Sequence, residues 1–526
     1  MRIFNLKSPP PAGEGVILLL CIAAHATLTF IYAVTLHFEF KTSGVDGMVY
    51  EQLLRNVLDG HGLVSSINYP YIQQPWLGFH FSPILYALLP FYAVFPHFQT
   101  LLATGSLCVA LAAWPLYLTA RTILQDRFQA LVMALLYLAN PFVVNGVVWD
   151  FHEVDFAPLC IAWMLWAVVH HRPKTLIVLS LVLLGIKEHY GLSVFGFGLL
   201  WAWHWREKKF GIALAAFGLA TLALIMGVVI PHFNPEGKPA MMNADSPMDR
   251  FGWLTSAESI RKQWPMTLSE AAEYYFLLLY PFIFLPLAAF GWLLPSMADI
   301  GVNTLSKQFS MRSVDIYYSM AAMPVLIIAT CWALRSVSRR ITRFSTNDLV
   351  LPIVVVTAIF AYLKVALPFS PTGNVLEFSS PRFQYETADA RAIDAIEAMI
   401  PEDATLAAQM NVLPHFHPRY WMMPFPGTSD KPDYIVLQLK FPYRRALSVF
   451  GNPFGDRAAT FIEHADALLH NDQWAVVYYA DRWVLLQKGG TDHKAQHKQA
   501  LDGLEQLRAE FDQVLEFFRA SYKSPN

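Results

Sequence analysis

The sequence predicts a polytopic α-helical membrane protein of about eleven spans, each of ~20 residues, with one interfacial helix and a soluble α/β domain after the last span. Three observations predict it. Of the 526 residues 55% are hydrophobic and only 15% charged, where soluble domains carry about 25%; the mean hydropathy is +0.36. Apolar runs of spanning length recur between residues 14 and 368. Beyond residue 370 the chain alternates strand-like and helix-like patterns with ordinary polarity.

Taken in order, the N-terminal MRIFNLK leads into GVILLLCIAAHATLTFIYAVTL. This run outlasts a secretory h-region of ~7–15 residues, and Leu20 before Cys21 does not suit a lipoprotein cleavage site, so a retained first span at 14–37 is expected. A polar loop, 38–79, follows. HFSPILYALLPFYAVFPH (80–97) is apolar but short and holds three prolines, which reads as an interfacial or re-entrant helix. Further spans are read at 99–120, 128–148, 155–170, 174–189, 191–205, 209–231, 270–286, 287–303, 317–336 and 348–368. With the N-terminus cytoplasmic, the inner loops collect Arg121, Arg127, Arg172, Lys174, Arg206, Lys208, Lys209, Arg335, Arg339, Arg340 and Arg343, as the positive-inside rule requires. Counting 80–97 as a full span would move Arg121 through Lys209 outside. The sequence therefore divides into a transmembrane domain, 1–369, and a C-terminal periplasmic α/β domain, 370–526. In the latter, ARAIDAIEAMI has helical spacing, DYIVLQL, WAVVYYA and RWVLLQK read as strands with a turn at Asp481, and a long charged helix follows Asp492.

A net charge of −2 gives nucleic acid no purchase. The four cysteines, Cys21, Cys108, Cys160 and Cys331, all stand in apolar runs, so no structural disulfide is expected.

The same topology puts four stretches with ionisable groups on the outer face: the loop 38–79, VWDFHEVDF, the turn Lys187-Glu188-His189 and the long polar loop 232–269. In SGVDGMVYEQLLRNVLDGHG, Gly44 and Gly47 bracket Asp46, and Glu51 opens a helical stretch. Asp46 reads either as a helix cap or as a general base taking a proton from an attacking hydroxyl. His80 precedes the interfacial helix. VWDFHEVDF packs Asp150, His152, Glu153 and Asp155 into six residues between two apolar runs; Asp150, His152 and Glu153 are donors suited to a divalent metal, though their spacing matches no established metal signature, while Asp155 suits a helix N-terminus. Lys187 and Glu188 form a tight turn. They read either as an internal ion pair or, for Lys187, as a cation facing phosphate.

These residues carry a family resemblance. Asp46 to Gln52, HFSPILYALLPFYAVF, PLYLTARTIL, YLANPF with DFHEVDFAP, GIKEHYGL, IYYSMAAMP, IPEDATLAAQMNVLPHFHPRY and DYIVLQL resemble bacterial membrane proteins of the DUF2079 type. That group is similar to the GT-C superfamily of polyprenyl-phosphate-sugar-dependent glycosyltransferases. The resemblance implies a GT-C-like fold, many spans with an outer C-terminal domain, and equates Asp46 with the catalytic acid of the first outer loop. Glu51 stands where the group more often has a second Asp, His189 where it usually has Asp after Lys-Glu, and Gly-Met follows Asp46 in place of Leu-Gly. These departures leave no fixed metal-ligand set.

Together the clusters and the resemblance lead to the expectation of an inner-membrane glycosyltransferase that uses a polyprenyl-phosphate-linked sugar and acts at the periplasmic face. Asp46 and Glu51 are the catalytic candidates, His80, His152, Lys187 and Glu188 the substrate-binding ones. A divalent ion, Mg or Mn, would sit on Asp150, His152 or Glu188. The rival expectations are a transporter or flippase of a lipid-linked substrate, which favours mid-span charges and repeated span sets, and a non-catalytic envelope assembly protein built on the outer domain.

Overall fold

Proline and polar punctuation decide where the apolar runs become helices. The computed structural model describes residues 12–42, 44–68, 71–243, 249–340, 346–364, 381–427, 432–440 and 453–522. The expected domain boundary at 369–370, the leading MRIFNLK and the end of the last expected span lie outside them.

Two units emerge. One comprises Met1–Ala33, Pro75–Phe95 and Gln99–Gly373; the other comprises Val34–Gln74, Pro96–Phe98 and Asn374–Asn526. The sequence reading assigned the loop 38–79 to the transmembrane domain, whereas most of it packs with the C-terminal residues. Its helix Val49–Leu58 is amphipathic and buries Val49, Tyr50, Leu53 and Leu54, and a buried apolar face needs a partner surface.

Four helical segments among the described residues are long and apolar enough to cross a membrane: Gly13–Phe38, Phe98–Leu124, Lys208–Phe233 and Phe309–Arg340. Two further pairs meet that standard as bent spans, raising the number to six. Arg127–Leu138 and Pro141–Trp149 meet at 41°, because Pro141 cannot donate to the preceding turn and Asn140 Oδ1 instead accepts from Phe142 N–H at 3.0 Å. Met266–Phe282 and Leu285–Met297 meet at 106°. There the chain reverses through Ile283 and Phe284, at φ of 51° and 57°, between Pro281 and Pro286. The runs expected at 155–170, 174–189 and 191–205 form the shorter helices Ala157–Val169, Pro173–Leu184 and Tyr190–His204. At ~1.5 Å per residue the longest of these reaches about 23 Å, short of the ~30 Å hydrocarbon core, so the eleven expected spans do not all appear as full-length helices. The 80–97 segment is likewise a short 3-10 turn, Pro83–Leu88, running into a helix, Leu89–Val94, with Phe91, Val94 and Phe95 exposed.

Helices Tyr190–His204 and Lys208–Leu224 run antiparallel with glycines seven residues apart on each. A Cβ on Gly198 would stand 2.5 Å from Gly211 O and 2.4 Å from Ala215 N; one on Gly218 would stand 2.5 Å from Gly191 O. Small residues permit this backbone approach, the usual means of helix association where no water drives it.

The second unit holds a mixed five-stranded sheet, in spatial order Met422–Phe425, Leu406–Gln409, Tyr434–Gln438, Trp483–Lys488, Trp474–Ala480. The first three strands are parallel neighbours and the last two pair antiparallel. The turn expected at Asp481 is present, with Asp481 and Arg482 at φ of 50° and 67°, as a two-residue hairpin of matching twist needs. Helices Pro453–Leu469 and Lys494–Tyr522 cover one face, setting Leu468, Leu469, Leu504, Leu507 and Phe511 against Ile435, Leu437, Val476, Val484 and Leu486. The helix expected around 390–400 is Thr387–Met399.

Gly198→Leu is expected to destabilise the helical unit by about 1–3 kcal/mol through forced overpacking, read as a lower thermal midpoint in detergent. Gly227→Leu, at a position with nothing within 4 Å, is the control and should leave the midpoint unchanged; equal midpoints for both would refute the close helix approach.

Candidate functional site

In the helical unit His80, the VWDFHEVDF stretch and the Lys187–Glu188 turn, all expected on the outer face, converge through three connections. Helix Pro141–Trp149 ends at Asp150, whose extended backbone (φ −171°) leads to a 3-10 turn, Glu153–Phe156. His152 N–H donates to Asp155 Oδ2 at 3.2 Å, so Asp155 caps this turn as expected of a carboxylate there. The lack of a side chain at Gly105 admits that carboxylate, since a Cβ would lie 2.5 Å from Oδ2. The His152 ring stacks on Tyr317 with centroids 3.6 Å apart.

Glu153 is wholly buried, and its Oε1 lies 2.7 Å from Lys187 Nζ. Lys187 thus does form an internal ion pair, but across to Glu153, because neighbours in a tight turn diverge and Glu188 faces the other way. Glu188 Oε1 meets His80 Nδ1 at 2.9 Å and its Oε2 accepts from Phe81 N–H at 3.1 Å. Ile84 N–H donates to Gly185 O at 2.9 Å, tying the HFSP segment to the same turn. The next residue, His189, places Nε2 2.8 Å from Asp299 Oδ1. Asp299 went unremarked in the sequence; its signal was a lone carboxylate on the helix Leu294–Leu305.

The expected metal donors do not fit a shared ion. Among the described residues no three His, Cys, Asp or Glu side chains group as a metal site, and Asp150, His152 and Glu188 therefore do not make one: both Glu188 oxygens are engaged by His80 and Phe81 N–H.

Asp46 and Glu51 belong to the other unit. Asp46 is half-buried in a π-helical turn, Gly44–Met48, that runs directly into helix Val49–Leu58. Met48, not Asp46, occupies the capping position of that helix, and no side chain caps it. Glu51 is buried on the helix. Beside this lobe stand residues that sequence reasoning passed over. His37 stacks on His415 at 4.5 Å, and the Tyr385 hydroxyl lies 3.0 Å from His415 Nδ1. Burial, with His37 alongside, holds the His415 imidazole well below its ordinary pKa, so it is neutral at physiological pH. His417 is raised instead, by its hydrogen bond to Glu397. A histidine in a strand-loop segment gives no sequence signal of such pairing.

The sequence model of a family described as "Predicted membrane protein (DUF2079)" matches residues 36–448, well over half of the chain. The crystal structure of ArnT from Cupriavidus metallidurans in the apo state is similar at 16% identity over 90% of this chain and 98% of that one, with a TM-score of 0.47. No curated protein matches.

Removing one member of a buried ion pair strands the other, at about 3–5 kcal/mol. Lys187→Met and Glu153→Gln are each expected to lower stability in detergent on that scale, and the double variant to recover most of the loss. Additive losses in this cycle would show that the two side chains do not depend on one another.

Proposed function

The chain belongs to the DUF2079 family of predicted membrane proteins, and from that premise we propose that it is an inner-membrane glycosyltransferase, moving a sugar from a polyprenyl-phosphate donor to an acceptor hydroxyl at the periplasmic face, with inversion. One observation carries this reading. His80, Asp150, His152, Glu153, Lys187 and Glu188 all lie in connections between α-helices, none within one. A transporter drawing a charged substrate through the bilayer calls for such groups in mid-span. Chemistry at one membrane face calls for them at helix ends. Asp299, which does sit inside a helix, points its carboxylate to His189 of the same set of turns.

In this reading Asp46 accepts the proton of the acceptor hydroxyl while its oxygen attacks the anomeric carbon. The bond from that carbon to the phosphate oxygen breaks with its electron pair, and polyprenyl phosphate departs as an anion. Glu51, on the helix that follows, is the second carboxylate of the same lobe. Lys187, held at 2.7 Å by Glu153, is the cation proposed for the departing phosphate, with a ring N–H of His80 or His152 as a further hydrogen-bond donor to it.

Asp46→Asn is expected to slow transfer by about 10²–10⁴-fold, the usual worth of a positioned general base. Mass spectrometry of lipids purified with the wild type and the variant should then find a sugar-bearing polyprenyl phosphate enriched on the variant. Undiminished transfer by folded Asp46→Asn protein removes Asp46 from the role.

A further inference from the structure

We propose that residues 34–74 are a lobe of the C-terminal unit and that Gln52 is the positioning residue that fixes the turn carrying Asp46. The importance of that turn rests on the glycosyltransferase reading; the latch itself does not.

Gln52 is completely buried, and its amide joins three pieces of chain. Nε2 donates toward Arg419 O at 2.9 Å, Tyr420 O at 3.0 Å and Ser66 Oγ at 3.2 Å. Oε1 accepts from Ser65 Oγ at 2.7 Å and from Ser66 N–H at 3.2 Å. Ser66 extends the link, its Oγ lying 2.7 Å from Met422 O and accepting from Met422 N–H at 2.9 Å. Met422 opens an edge strand of the sheet, so the helix bearing Gln52 is bonded to the sheet's margin.

The chain before Asp46 is held by the same unit. Thr35 Oγ1 accepts from Arg382 N–H at 3.0 Å, Glu39 lies 3.7 Å from the Arg382 guanidinium, and Phe40 packs on His415 with centroids 4.2 Å apart. The Asp46 turn is thus anchored on both sides, at 35–40 and at 52–66, to residues more than 300 positions later in the sequence. Only an amide answers the chemistry at 52. It donates to two carbonyls with one end and accepts two donors with the other. A carboxylate would face the Arg419 and Tyr420 carbonyls with no proton to offer, and alanine would leave buried groups on all three segments unsatisfied.

The test is hydrogen–deuterium exchange on the full-length protein in detergent, with turnover measured on the same preparations. Gln52→Ala is expected to raise exchange across 44–58 by about ten-fold or more, with helices 190–224 as protected as in the wild type. Ser65→Ala, which removes one of the five bonds, should raise it less; this milder variant decides the matter if Gln52→Ala does not fold. Arg55→Ala, on the exposed face of the same helix, should change nothing. Unaltered exchange at 44–58 in Gln52→Ala, or in Ser65→Ala where only that variant folds, overturns the latch. In turnover, the variant that loosens 44–58 should lower kcat while leaving the KM for the donor lipid in place, as expected of a displaced base. Loosening with full kcat overturns the positioning role. If the wild type itself transfers no sugar from any polyprenyl-phosphate donor, the glycosyltransferase reading falls, and the exchange result still decides the latch.

Discussion

The helical unit is organised by the penalty on an unpaired charge away from water. An ionised side chain taken out of solvent loses several kcal/mol of hydration, and only a close, well-oriented partner makes the burial tolerable. Glu153 has no contact with solvent, so Lys187 must come to it; Glu188 is nearly as buried, so His80 and the Phe81 amide must come to that. These pairings draw the HFSP segment, the DFHEVDF turn and the KEH turn together, and the helices on either side have to follow. Gly105, which leaves room for the Asp155 carboxylate, and the Ile84–Gly185 backbone bond are the local fittings of the same requirement. A chain with few charges has used several of them at one set of turns, where their mutual satisfaction fixes the geometry of three distant segments.

What could be read from the sequence follows from how far each signal reaches. Hydrophobic periodicity is local, so the strands Tyr434–Gln438, Trp474–Ala480 and Trp483–Lys488 and the helices Thr387–Met399 and Lys494–Tyr522 were visible within a few residues of their ends. So was the congregation of acidic and basic residues in connections between apolar runs. Partnership was not visible. Lys187 and Glu188 are adjacent and opposite in charge, yet the turn directs them apart, and only the fold brings Glu153 within reach of the lysine. Helix length was overestimated where an apolar stretch contains a proline or a polar cap, as at Asn140-Pro141, since composition alone cannot tell a straight span from a bent one.

The largest misreading concerned the first loop. Polar, glycine-rich and placed between apolar segments, 38–79 looks like a connector of the membrane domain. Its allegiance to the C-terminal residues is written in single side chains: one buried glutamine, one serine, a threonine and an aromatic stack. None of these has a periodicity, and each finds its partner several hundred residues away. Long-range polar bonds of this kind carry no signal that a reading of composition or spacing can recover.

That arrangement changes what a common experiment can decide. An assembly protein acting through its outer domain and an enzyme with Asp46 as base would ordinarily be told apart by deleting the C-terminal residues, since only the first should need them. Here the deletion also removes Arg419, Tyr420 and Met422, the groups that hold the helix following Asp46. Loss of function on truncation is therefore the expectation of both readings and separates nothing. Discrimination moves to substitutions that spare the fold: exchanging the Asp46 carboxylate for an amide removes a base without removing a contact surface. An enzyme loses its rate to that exchange, and a scaffold keeps its partners.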